Sequence, residues 1–188
     1  MLGYFDRSVK SFQRGTAADG SYKTVASTAH QTVLEKGDIR VVFVNTLDEG
    51  YDINLGPNHA GVIVSRSHDG SVGNVFKRQR IPVDSKGRVF FVSACRTLTV
   101  AGRLSSYYPG ASFISVDGMS YGERTDLVVY YLLEALRRRT ATFKQIEAFV
   151  GSRVGKVVMK DYVFPDNDAM KVERNVMAFL AGQGESRR

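Results

Sequence analysis

The hydrophobic positions of the chain change their period near residue 122, and this change separates a strand-rich middle from a helical C-terminal part. Upstream, apolar segments such as IRVVFVNT from Ile39, GVIVSRS from Gly61 and RVFFVSACRTLTV from Arg88 are rich in β-branched and aromatic residues. Such short segments, bounded by Gly, Asp and Ser residues, are typical of strands. From Glu123 onward, apolar residues recur every three to four positions, which predicts helices.

The turns between these strands are short, and they predict antiparallel pairing. Asp69-Gly70 separates two apolar segments, a pattern that is typical of β-hairpins. The alternating segment RVFFVSACRTLTV predicts one long strand. The sequence therefore predicts an α+β fold, with an antiparallel sheet built from about residues 39–116 and C-terminal helices over about residues 123–181 packed on it. A mainly parallel sheet would contradict this prediction.

The length of the chain predicts its domain organisation. It has 188 residues, of which 43% are hydrophobic, and this is enough for one domain with a substantial core. Residues 1–27 are predicted to form an N-terminal helix and a flexible connection, because apolar residues recur at helical spacing as far as Phe12 and the following stretch is small and polar. Residues 28–182 are predicted to form a single α+β domain, and residues 183–188 a disordered tail.

Cysteine usage and hydropathy limit the class of protein. Cys95 is the one cysteine of the chain, which excludes an intramolecular disulfide and a zinc site built on several thiolates. No segment contains the roughly 20 apolar residues that a membrane-spanning helix needs. The chain is therefore expected to be soluble or peripheral, without a transmembrane segment, in a reducing compartment such as the cytoplasm or the nucleus. It contains no motif for a cofactor or a metal ion, so neither is expected.

Positive charge is concentrated in two stretches of a chain whose net charge is +7 at neutral pH. Residues 74–103 contain seven basic residues and one acid, and residues 137–160 repeat the same ratio. Such a distribution attracts a polyanion, either nucleic acid or an acidic lipid surface, and charge alone does not distinguish the two. The binding surface is expected to comprise Lys77, Arg78, Arg80, Arg88, Arg137, Arg138, Arg139 and Lys144.

This charge distribution predicts a non-enzymatic binding or structural protein that acts on RNA, DNA or an anionic membrane. In size, charge and layout, the chain is similar to small matrix-like and nucleoprotein-associated proteins of viruses, which implies a place in the virion or the host cytoplasm. Homo-oligomerisation is compatible with this hypothesis. Under the same hypothesis, Cys95 is a buried and unreactive side chain within the sheet.

One local motif supports a second hypothesis. Arg88 to Thr97, RVFFVSACRT, resembles the nucleophile strand of caspase-like cysteine peptidases, in which an apolar strand ends in a small residue, the catalytic Cys and often Arg. The resemblance implies that Cys95 is the nucleophile, that His68 or His59 is the base, and that a backbone amide near the histidine completes an oxyanion hole. A parallel sheet and a reactive Cys95 would favour this cysteine hydrolase over the binding protein.

Overall fold

The computed structural model describes residues 4–15, 20–28, 31–44, 61–66, 87–138, 142–168 and 171. Within these residues there are five helices and seven strands, which confirm the predicted α+β class. The helices are α1 (Tyr4–Arg14), α2 (Leu98–Tyr107), α3 (Gly122–Arg137), α4 (Phe143–Val154) and α5 (Lys156–Met159). The strands are β1 (Lys23–Ser27), β2 (Gln31–Lys36), β3 (Ile39–Val44), β4 (Val62–Arg66), β5 (Val89–Ser93), β6 (Ser112–Val116) and β7 (Tyr162–Val163).

The chain divides into two compact units, each with a sheet of its own. Unit 1 comprises Met1–Ile53 and Tyr121–Gly155, and it contains α1, β1 to β3, α3 and α4. Unit 2 comprises Asn54–Ser120 and Lys156–Arg188, and it contains β4 to β7, α2 and α5. None of the helices in the described part of the chain is long and apolar enough to cross a bilayer.

The sheet of unit 1 is antiparallel, with the strand order β1-β2-β3. The central strand β2 pairs Leu34 with Thr24 of β1 and with Val41 of β3. Phe12 of α1 packs edge-on against Phe43 of β3, with the ring centroids 5.2 Å apart. All residues of β1 are exposed. This strand lies within the stretch that was predicted to be a flexible connection. It was not predicted as a strand because main-chain pairing holds it in place, and its sequence has no pattern of buried apolar residues.

The C-terminal part of unit 1 is helical, as predicted. Helix α3 is buried along most of its length, because apolar side chains cover more than one of its faces. Its Tyr130 ring packs against the rings of Phe12 and Tyr22, each at a centroid distance of 5.7 Å. Helix α4 follows after a short connection. The last predicted helix, from about residue 168 to 181, and the predicted tail, residues 183–188, lie almost entirely outside the described residues.

The sheet of unit 2 has the strand order β4-β5-β6-β7. Strands β4, β5 and β6 are parallel, and β7 runs antiparallel to β6. Helix α2 connects β5 to β6, and its Ala101 and Leu104 belong to the same buried cluster as Phe90 and Phe113 of these strands. All five residues of β5 are buried, as expected of a strand that is covered on both faces.

Strand direction in unit 2 differs from the antiparallel sheet predicted over residues 39–116. Parallel neighbours need a crossover connection, and α2 provides one between β5 and β6. The predicted long strand also ends early, at Ser93, because the chain turns at Arg96 and enters α2 at Leu98. The continuous apolar segment VFFV of β5 is typical of a strand inside a parallel sheet. The predicted hairpin turn at Asp69-Gly70 lies outside the described residues.

Candidate active site at the end of β5

Cys95 lies two residues beyond the last residue of β5, at the edge of the sheet where the parallel strands have their carboxyl ends. Strands β4 and β5 are paired in register, with Arg66 opposite Ser93 at this edge. Ligands of open parallel sheets bind outside the carboxyl ends of the strands. The parallel direction of the strands therefore places Cys95 where a reactive side chain can meet a ligand.

The backbone turn directly after Cys95 is strained. Arg96 has a φ of 55°, and it is the one non-glycine residue with a positive φ in the described part of the chain. An L-residue in this left-handed region costs roughly 1–2 kcal/mol. The N–H of Arg96 donates to the carbonyl of Gly118 at 3.0 Å, and the N–H of Thr97 donates to the carbonyl of Val116 at 2.7 Å. Strain that its surroundings enforce in this way is concentrated at functional sites.

Thr97 anchors this turn with its side chain. The residue is fully buried, and its Oγ1 donates to the carbonyl of Val92 at 2.7 Å and accepts from the N–H of Val116 at 2.9 Å. One hydroxyl therefore joins the end of β5 to the end of β6. Helix α2 begins at the next residue, Leu98, without an acidic residue in its first turn. The positive end of the helix dipole thus lies three residues after Cys95 in the chain.

Cys95 is half-buried. It accepts a hydrogen bond from the backbone N–H of Ser120 at 3.4 Å, so the loop after β6 contacts it. Reactive cysteines are partly exposed and lie near positive potential, whereas structural cysteines are buried among apolar side chains. Cys95 is half-buried in the turn after β5, whereas the sequence predicted it within a long strand.

Both candidate bases, His59 and His68, lie outside the described residues. Their places in the sequence nevertheless differ. His59 precedes β4, whereas His68 follows Arg66, the last residue of β4, by two residues. Cys95 follows Ser93, the residue paired with Arg66, by the same number. In sequence spacing alone, His68 therefore follows β4 as Cys95 follows β5, whereas His59 precedes β4.

The residues predicted to bind a polyanion are spread over both units. Arg88 precedes β5 in unit 2, and its Nη1 atom is buried without a hydrogen-bond partner in the described part of the chain. Lys144 is exposed on α4 in unit 1. Four other residues that were predicted to bind a polyanion lie outside the described residues: Lys77, Arg78, Arg80 and Arg139.

Arg137 and Arg138 have different surroundings at the end of α3. Arg137 donates to the buried Glu134 carboxylate through Nε at 3.2 Å and Nη2 at 3.0 Å, and these hydrogen bonds raise the pKa of Arg137. Arg138 lies over the ring of Phe149, with its guanidinium carbon 5.0 Å from the ring centroid. Arg153 lies near the same ring at 5.4 Å. The charge of Arg137 is thus explained by an internal partner, whereas Arg138 and Arg153 form a basic and aromatic surface.

The motif that ends at Thr97 includes Arg96, but sequence patterns did not single out Ser120 or predict the positive φ of Arg96. Within the described residues, no three His, Cys, Asp or Glu side chains converge in a way that could hold a metal ion. Comparison with protein-family models, with curated proteins and with solved structures gives no match. Function is therefore inferred from the residues and geometry of the chain itself.

Proposed function

We propose that this chain is a cysteine hydrolase similar to the caspase-like peptidases, with Cys95 as the nucleophile and His68 as the general base. The observation that carries the proposal is the place of Cys95. It occupies a strained turn at the carboxyl end of a parallel strand, with a backbone N–H directed at its sulfur. The residues of this strand end are also those in which the sequence resembles the peptidase family.

The proposed reaction is the hydrolysis of an amide bond through a thioester. His68 takes the proton from the Cys95 thiol, and the thiolate attacks the carbonyl carbon, so that an S–C bond forms. The C–N bond then breaks, and the amine leaves with the proton that His68 returns. Water, deprotonated by the same histidine, hydrolyses the thioester and regenerates the thiol.

Two features of unit 2 support a hydrolase. Strands β4, β5 and β6 are parallel and α2 crosses from β5 to β6, which is the kind of connection that a caspase-like sheet requires. The chain also leaves the sheet after Ser93 and turns at Cys95 and Arg96, where the family needs a loop. A structural thiol would be enclosed in the strand in the way that Phe91 and Val92 are.

The test compares alkylation and peptide cleavage. Iodoacetamide at neutral pH should modify Cys95 faster in the folded protein than in the protein unfolded by urea, because the proposal places a general base beside the thiol only in the folded state. A set of fluorogenic peptide amides that differ in the residue before the scissile bond should identify a cleaved sequence. Cys95→Ala should abolish this cleavage, and His68→Ala should reduce it by about 100-fold or more.

His59→Ala is the matched control, since this histidine precedes β4 and should not be needed for turnover. Loss of cleavage in His59→Ala but not in His68→Ala would reject the assignment of the base. Alkylation of Cys95 that is no faster in the folded protein than in urea, together with no cleavage of any peptide in the set, would refute the hydrolase.

A second candidate function is binding of single-stranded nucleic acid by the basic surface of α3 and α4. The observation in its favour is the pair of guanidinium groups, from Arg138 and Arg153, at the ring of Phe149, with Lys144 exposed on the same helix as that ring. Cationic side chains combined with aromatic rings are the usual way in which proteins bind single strands without sequence preference.

Salt dependence tests this candidate. A variant with Gln at positions 138, 144 and 153 should reduce the slope of log affinity for single-stranded RNA against log salt by about two units. The matched control replaces three exposed cations of α1 and β1, which should leave the slope unchanged: Lys10, Arg14 and Lys23. An unchanged slope in the first variant would remove this surface from consideration, and binding to anionic vesicles alone would assign a lipid ligand.

A further inference from the structure

The guanidinium group of Arg88 has a buried donor at the amino end of β5. Arg88 directly precedes this strand and is half-buried as a residue. Its Nη1 atom is buried and has no hydrogen-bond partner within the described residues. A buried donor of a charged group costs free energy when it has no acceptor. An acceptor that a ligand supplies would remove this cost.

Small residues flank Arg88 in the two neighbouring strands. The register of β4, β5 and β6, continued by one residue toward the amino ends, places Gly61 on one side of Arg88 and Ala111 on the other. The backbone of this row is fixed, because the N–H of Val89 donates to the carbonyl of Gly61 and the N–H of Ser112 to that of Arg88, each at 2.8 Å. A Cβ atom at Gly61 would contact no atom within 4 Å beyond its chain neighbours. The side of the row toward β4 is therefore open.

Aromatic rings lie behind this row, toward the core of unit 2. Because side chains alternate along a strand, the side chain of Arg88 lies on the same face as the fully buried Phe90. The ring of Tyr108 packs against Phe90 at a centroid distance of 5.1 Å, and its carbonyl accepts from the N–H of Ala111 at 3.2 Å. Burial raises the pKa of Tyr108, so water has limited access here. Charges attract each other more strongly in such surroundings than in water.

We propose that Arg88, Gly61 and Ala111 form a binding site for a single oxyanion group, a phosphate or a carboxylate, at the amino ends of the parallel strands. The planar guanidinium can bind two oxygen atoms of such a group at once. A half-buried guanidinium suits one bound group, whereas a polyanion surface needs exposed cations. Strand β5 separates this site from the Cys95 turn by about 16 Å, so the site does not depend on the proposed hydrolase.

Thermal unfolding of the full chain at constant ionic strength tests the site, with inorganic phosphate or acetate as the probe. One of these probes should raise the unfolding temperature of the wild type in a saturable way, because it binds the folded state. Arg88→Met keeps an unbranched side chain but removes the charge, so this rise should be lost. Without a probe, Arg88→Met should unfold about 2–4 °C higher than the wild type, because the buried donor is gone.

Three further variants separate binding from folding. Gly61→Val keeps Arg88 but fills the open side of the row, so it should remove most of the rise. Arg88→Lys keeps the charge without the planar fork and should bind the probe about tenfold more weakly. Arg103→Met replaces an exposed arginine of α2 in the same unit and should respond like the wild type. This control also accounts for the general stabilisation of proteins by phosphate.

The outcomes decide between a ligand site and a structural arginine. A rise with phosphate alone would support a phosphate ligand, and a rise with acetate alone would support a carboxylate. An equal rise in the wild type and Arg88→Met, or no rise with either probe, would refute the site. A lower unfolding temperature of Arg88→Met without a probe would also count against it, because Arg88 would then stabilise the fold by itself. None of these measurements uses Cys95 or peptide cleavage, so the hydrolase and this site can fail separately.

Discussion

Glu134 in unit 1 and Cys95 in unit 2 have different surroundings. In unit 1 the carboxylate of Glu134 is fully buried, with Oε1 2.7 Å from Nζ of Lys36 and Oε2 3.0 Å from Nη2 of Arg137. In unit 2 Cys95 is half-buried, its sulfur accepts a main-chain hydrogen bond, and the next residue, Arg96, has the left-handed conformation. Opposite charges neutralise the Glu134 carboxylate, whereas hydrogen bonds hold the strained turn at Cys95.

This difference separates a buried network of paired charges in unit 1 from a strained turn in unit 2. Lys36 also donates to the hydroxyl of Tyr130 at 3.0 Å, and Tyr130 donates to the carbonyl of Gly20 at 2.6 Å. Burial alone would lower the pKa of Lys36, but the hydrogen bonds to Glu134 and Tyr130 outweigh burial and raise it. A buried network whose members satisfy one another makes a structure rigid. Backbone strain, in contrast, is concentrated where a protein binds or reacts.

The largest expected effect follows from removal of the buried carboxylate. Glu134→Leu leaves Lys36 without its partner and should lower the free energy of unfolding by about 3 kcal/mol, measured by urea unfolding. The matched control is Glu35→Gln, because Glu35 and Arg40 pair at 3.7 Å with side chains 45% and 66% exposed, respectively. The control should lose less than about 1 kcal/mol. Equal losses would contradict the contrast between a buried network and an exposed pair.

Thr97→Val examines the hydrogen bonds that hold the Cys95 turn. The substitution keeps the side-chain volume but removes the hydroxyl that bonds Val92 and Val116, so it should lower the free energy of unfolding by about 2 kcal/mol and slow alkylation of Cys95. Thr99→Val, at an exposed position of α2, should change stability by less than about 0.5 kcal/mol. A Thr97→Val variant with wild-type alkylation would show that this hydroxyl supports the fold and not the sulfur.

The fold class could be predicted from the sequence because it depends on local periodicity, whereas strand direction could not. Helix α3 is recognisable from the spacing of its apolar residues alone. Direction depends on how segments far apart in the chain meet, and the apolar segment of β5 was assigned to an antiparallel sheet on the strength of neighbouring turn residues. Strand β1 was missed because all its residues are exposed and no apolar pattern marks it.

The candidate site could be predicted in its motif but not in its geometry. A small residue before Cys95 and an arginine after it belong to the motif that resembles the peptidase family, and the nucleophile role of Cys95 stays a prediction. The left-handed conformation of Arg96 has no sequence signal, because Arg is not a residue that favours positive φ. Ser120 is 25 residues from Cys95 in the chain, too far for a local pattern. Conversely, the charge of Arg137 was visible in the sequence, but its pairing with Glu134 was not.

Arg96→Gly tests whether the backbone strain in the Cys95 turn lowers the stability of the protein. Glycine avoids the cost of about 1–2 kcal/mol that a side chain has at this φ, but it makes the unfolded chain more flexible by roughly 0.5–1 kcal/mol. The free energy of unfolding should therefore rise by about 0.5–1 kcal/mol. Arg103→Gly, at an exposed position within α2, should instead lower it by about 1 kcal/mol. Equal losses in both variants would show that the Arg96 side chain, and not strain, dominates at this turn.

The smallest effect at neutral pH is expected from the hydroxyl of Tyr22 in unit 1. This residue is 2% exposed, and its Oη has no hydrogen-bond partner within the described residues. Tyr22→Phe should therefore raise the free energy of unfolding by about 0.5 kcal/mol. Tyr130→Phe is the matched control, since it removes the bonds to Gly20 and from Lys36 and should lower the free energy of unfolding by about 1–2 kcal/mol.

Alkaline pH should enlarge the effect of Tyr22. Burial raises the pKa of Tyr22 above its ordinary value, and the nearby charge of Glu134 raises it further. The folded state keeps the phenol proton where the unfolded chain has lost it, so stability falls as the pH rises above about 10. Tyr22→Phe should reduce this fall, measured by urea unfolding between about pH 9 and 11. An equal fall in both proteins would assign the alkaline response of unit 1 to Lys36, whose raised pKa acts in the same direction.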